Sequence, residues 1–69
     1  MLIETRLNEL RASGQAPYDI KLGLKMVMLE QYGMNETLVN IMLNKLDVTS
    51  DKSVNKYLET MSVVVGNRS

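Results

Sequence analysis

Neither cysteine nor histidine occurs among the 69 residues, and tryptophan is also missing. Without cysteine there is no disulfide to staple a small fold. Without either residue, a zinc or haem site loses its usual ligands. The same absences remove the commonest general base and the strongest nucleophile available at neutral pH. The carboxylates are scattered where surface or capping roles explain them. The four glycines, at positions 14, 23, 33 and 66, do not cluster into a phosphate-binding loop. The expectation is a protein with no catalytic residues, no metal, no cofactor and no small-molecule substrate.

Charge of one sign is lacking too. Lys and Arg number 8 against 8 Asp and Glu, a net charge of zero, whereas a nucleic-acid binder usually carries a basic excess. No apolar run approaches the ~20 residues that span a bilayer. The first ten residues, MLIETRLNEL, place Glu4 and Glu9 where a signal peptide needs an apolar core. A soluble, cytoplasmic protein without membrane contact is expected.

What is present is apolar side chain, 45% of a chain that reads as one helical domain over 1–69. So short a chain has little interior, and with disulfides and metals excluded, self-association is the remaining common source of stability. The stretch from Ile20 to Gly33 organises the rest. Ile20, Leu24, Val27 and Met28 form one stripe at helical spacing, and Leu22, Met26 and Leu29 form another. A helix apolar on two sides must be covered from two sides, which makes it the centre of a small bundle.

Around it, Ile3, Leu7 and Leu10 give a first helix over 2–12 a single narrow stripe, stopped by Ser13-Gly14. With so little to bury, residues 1–14 are expected to be the most loosely docked. The second helix is predicted over 18–32, with either Pro17 in its first turn or Asp19 as its cap. Gly23, unfavourable inside a helix, points to a close helix crossing. Gly33 ends this helix and Asn35 caps a third, predicted over 35–47 and apolar around well over half its circumference. The Thr49-Ser50-Asp51 signal starts a fourth over 50–65, carrying Val54, Leu58, Met61 and Val65 on one stripe. Gly66-Asn67 closes it and 66–69 is expected to be a frayed tail. The fold expected is all-α, a compact bundle of about four short helices that dimerises.

Three functional patterns follow. Met is abundant, 6 residues in 69, and suits adaptable contact surfaces. Leu22, Met26 and Leu29, with Met34 and Met42 at the corner between the second and third helices, form the candidate protein interface. The second pattern is a helix-turn-helix with Gly33 at its turn, presenting Asn35, Thr37, Asn40 and Asn44 to base edges. Its chemistry is mediocre: Leu29 is bulky where the motif prefers Ala, Glu36 repels phosphate, and few cations flank the helix. The third is LNKLDVTSDKSVNKYLE, which resembles the closing stretch of tyrosine recombinases around Tyr57. That family also needs arginines and a His or Trp about its site, and this chain has no His or Trp, leaving Tyr57 as a core-edge tyrosine.

Arg11-Ala12-Ser13-Gly14, an amphipathic helix, a glycine turn, Ile41 to Leu46 and then LDVTSD before Lys56-Tyr57-Leu58-Glu59 resemble the AriR-type connector proteins of biofilm formation and acid resistance. The match spans about residues 11–65, with a gap of a few residues before Lys56. The resemblance implies a dimer of helical hairpins acting through protein partners, without catalysis. The composition points the same way, to a non-enzymatic regulatory adaptor that binds itself and another protein. The alternative is a DNA-binding regulator that uses 35–47 as its recognition helix.

Overall fold

Capping signals and helical periodicity resolve into four helices and, among the described residues, no strand: α1 Leu2–Ala12, α2 Pro17–Glu30, α3 Glu36–Lys45 and α4 Asp51–Arg68. The computed structural model describes residues 2–68, with side chains through Gly66. The chain is an all-α compact bundle. Its radius of gyration of 11.0 Å matches the ~11 Å expected of a globule of this length.

The starts of α2, α3 and α4 each have a local cause. Pro17 occupies the first position of α2, where a missing N–H costs nothing, behind an extended Ala16 that contributes no side-chain cap. Of the two alternatives for this start, the proline is the one used. The Asn35 side chain caps α3, accepting from the N–H groups of Thr37 at 2.9 Å and Leu38 at 3.3 Å. At the head of α4, Ser50 Oγ accepts from Ser53 N at 3.3 Å, and Ser53 Oγ in turn accepts from Asp47 N at 2.9 Å.

The ends differ more from expectation. Gly14 (φ 74°) and Gly33 (φ 59°) are left-handed and stop α1 and α2 as the sequence predicts. Helix α4 instead runs through Gly66 to Arg68. Gly66 is not among the residues of positive φ, and a glycine ends a helix only where the backbone turns left-handed. Ser69 and the side chains of Asn67 and Arg68, part of the expected frayed tail, lie outside the described residues. Helix α2 ends at Glu30 and α3 spans only Glu36–Lys45, both shorter than predicted.

One core joins all four helices. Ile3, Leu7 and Leu10 from α1 meet Ile20, Leu24 and Met28 from α2. Met34, Val39, Leu43, Leu46 and Val48 close it from the α3 side, and Val54, Tyr57 and Met61 from α4. Helix α1, expected from its narrow stripe to be the most loosely docked, packs into this core. Ile3 and Leu7 are fully buried, the Ile3 N–H donates to the Tyr32 hydroxyl at 3.2 Å, and Arg11 pairs with Asp51 on α4 at 2.6 Å. The reason is the notch at Gly23. A β-carbon there would stand 2.9 Å from Leu10 Cδ1, so the missing side chain lets α1 nest against α2. The Leu10 side chain lies over Gly23, where the sequence led us to expect a close crossing.

Candidate protein interface

Two apolar surfaces stay open on this bundle. The first is a ridge on α2. Because Ile20, Leu24 and Met28 point inward and α1 covers the Gly23 side, Leu22 and Met26 are left 48% and 49% exposed. Asp19 and Glu30, also exposed, continue the same face at either end, at positions i, i+3, i+7 and i+11 counted from Asp19. Leu29, at the ridge's flank, is half-buried against the core.

The second is a cleft of about 370 Å³ between α3 and α4, lined by Leu38, Ile41, Met42, Lys45, Leu46, Ser53, Lys56, Tyr57 and Thr60. It exists because α3 carries more apolar surface than the core can take. Val39 and Leu43 are buried, while Leu38 and Ile41 remain 42% and 48% exposed. The buried residues Leu46 and Tyr57 supply the floor. Along α4 the surface continues past Lys56 and Thr60 to Val63 and Val64, with Glu59 at its edge.

Tyr57 is held under the cleft by its hydroxyl, which donates to Met28 Sδ at 3.0 Å. Burial pushes the phenol pKa well above its usual range, and the nearby Tyr32 adds to the shift. This is the core-edge tyrosine expected from the sequence. Asp47, in the α3–α4 link, has its pKa lowered chiefly by the Thr49 hydroxyl (2.6 Å) and then the Thr49 N–H (3.0 Å), both donating to Oδ1. Weaker desolvation opposes this and Lys21 assists it. Half-buried Lys25 pairs with exposed Glu36 at 3.7 Å and bridges α2 and α3. Among the described residues, no three His, Cys, Asp or Glu side chains converge as a metal cradle.

Of the five interface residues read from the sequence, Leu22 and Met26 lie on the ridge, Leu29 beside it, and Met42 on the cleft wall, half-buried. Met34 is corrected: it is a core residue, 5% exposed. After the left-handed Gly33 the backbone reverses, the Met34 N–H donates to Met28 O at 3.1 Å, and the side chain is carried into the core. Met34 and Met42 therefore do not share an exposed patch. Sequence reasoning missed Leu38, Ile41, Lys45 and Lys56. Spacing of i, i+3, i+4 and i+7 over Leu38, Ile41, Met42 and Lys45 was the available signal, hidden because α3 looked apolar nearly all round.

For the DNA alternative, Thr37, Asn40 and Asn44 are exposed and fall within one helical face of α3. Asn35 is exposed but its side chain is committed to the cap. Five residues separate α2 from α3, more than the three or four usual in a helix-turn-helix. Compared with models of known protein families, with curated proteins and with solved structures, the chain matches none.

Proposed function

We propose that this protein is a small non-enzymatic regulatory adaptor that works in the cytoplasm by protein–protein contact, as a homodimer that also binds another protein. The observation that carries the reading is the α3–α4 cleft: an apolar floor and walls, a length set by two helices, and lysines along the rim. Grooves of this kind take an amphipathic helix, whose apolar residues at i, i+3, i+4 and i+7 fill the floor while its flanks meet the rim. That no described helix is long and apolar enough to cross a membrane is compatible with this reading.

The test is affinity capture from the native host with two baits, the wild-type chain and Ile41→Asp. Ile41 is half exposed, so the variant keeps the fold, checked by circular dichroism. A protein held by the wild type and released by Ile41→Asp is the expected result. Identical retention on both baits contradicts the reading.

The shared outward face of Thr37, Asn40 and Asn44 supports the rival reading of DNA binding by α3. Glu36 beside that face works against it. A mobility-shift assay at low salt separates the two, because binding held by phosphate contacts is strongest there. No retardation at micromolar protein is expected, and a salt-sensitive shift lost in Asn40→Ala and Asn44→Ala would transfer the function to DNA.

A further inference from the structure

The ridge and the cleft differ in charge as well as in shape. At its two ends the ridge carries Asp19 and Glu30, both acidic, about Leu22 and Met26. The cleft carries Lys45 on its α3 wall and Lys56 on its α4 wall, both basic, about Leu38 and Ile41. Among the described residues, none of these four charged side chains takes part in an ion pair or hydrogen bond within the chain, although pairs such as Arg11–Asp51 and Lys25–Glu36 form elsewhere. Among the described residues no carboxylate lines the cleft itself, and Glu59 lines its continuation toward Val63.

We propose that the occupant of the cleft is the α2 ridge of a second copy of this chain. Leu22 and Met26 enter between α3 and α4 against Leu38, Ile41 and Met42, and the terminal carboxylates of the ridge face Lys45 and Lys56. Helix α2 is 14 residues long, about 21 Å at 1.5 Å per residue. Helix α3, which forms one wall, is 10 residues long, so the ridge reaches the whole groove. Each copy has both surfaces, and in a closed dimer the contact is used twice. The inference deepens the adaptor reading and rests on its claim that the cleft is a protein-binding surface: the second copy takes the cleft, the other protein binds the dimer, and Ile41→Asp releases it by opening the dimer.

A charge exchange tests it. The first variant, Lys45→Glu with Lys56→Glu, makes the cleft acidic; the second, Asp19→Lys with Glu30→Lys, makes the ridge basic. All four positions are at the surface, and an unchanged circular dichroism spectrum confirms folding. In sedimentation equilibrium the wild type is expected to self-associate. Each variant alone should lose at least about tenfold in association constant, because like charges then face each other. Mixed in equal amounts, the two should re-associate, since the acidic cleft meets the basic ridge and the native cleft meets the native ridge.

An uncharged pair, Leu22→Gln with Met26→Gln and Leu38→Gln with Ile41→Gln, should weaken association in each variant. A wild type that stays monomeric to about millimolar, variants that associate as the wild type does, or a mixture that fails to recover would each overturn the proposal. If that happens while the host protein is still released by Ile41→Asp, only the identity of the occupant falls. If Ile41→Asp also changes nothing, the adaptor reading falls with it.

Discussion

Tyr57 and Asp47 have their protonation tied to the fold, and they act at opposite ends of the pH scale. The Tyr57 phenol is buried and donates to a thioether, so its folded pKa lies above its unfolded value of about 10. A raised pKa contributes stability that is fully present below the unfolded value and is lost as pH rises through it. In urea titrations the wild type should therefore weaken above about pH 10. Tyr57→Phe should lose that component, while costing about 0.5–1.5 kcal/mol at neutral pH for the missing hydrogen bond. Equal alkaline sensitivity in both proteins would contradict the burial of this hydroxyl. For Asp47 the sign is reversed. Its folded pKa is lowered by the two bonds from Thr49, so its contribution is present above the unfolded value near 3.8 and lost as pH falls below it. Acid unfolding of Asp47→Asn should accordingly begin less steeply than that of the wild type, measured by circular dichroism between about pH 5 and pH 2.

Helices show both what local chemistry dictates and what only packing decides. The all-α class, the cap at Asn35 and the stops at Gly14 and Gly33 were legible in the sequence because each depends on a few adjacent residues. Asn35→Ala should cost about 1 kcal/mol, read as a lowered urea midpoint. Non-local features were not legible. The α1 stripe of Ile3, Leu7 and Leu10 looked too narrow to dock firmly. Its partner is an absence, the missing side chain of Gly23, brought against Leu10 only by the fold. Met34 looked like a surface methionine because its inward turn follows from the backbone reversal after Gly33. The cleft depends on which part of a nearly all-apolar α3 faces α4, a choice that periodicity leaves open. The Gly23–Leu10 notch can be checked by a double-mutant cycle. Gly23→Val should destabilise by about 1–3 kcal/mol through overpacking, and Leu10→Ala by about 2–5 kcal/mol through lost packing. Gly23→Val combined with Leu10→Ala should be less destabilised than the sum of the two single changes by about 1 kcal/mol. Strict additivity would mean that α1 does not rest on that notch.

At the scale of the molecule, the exposed apolar residues do not come from an open or poorly collapsed chain. The accessible surface of 4446 Å² is close to the ~4,400 Å² expected of a folded monomer of this mass. A well-closed bundle that leaves Leu22, Met26, Leu38 and Ile41 outside has a small core of its own and two exposed apolar surfaces. We propose that these two surfaces, and not the polar outer face of α3, are where the protein meets its partners. Methyl-detected NMR of the wild type in a dilution series from about millimolar to about ten micromolar tests it most directly, because self-association follows mass action. Concentration-dependent shifts are expected at the Leu22, Met26, Leu38, Ile41 and Met42 methyl groups, while those of Ile3, Leu7 and Leu24 in the core stay fixed. Spectra independent of concentration, or shifts confined to residues away from the ridge and the cleft, would contradict it.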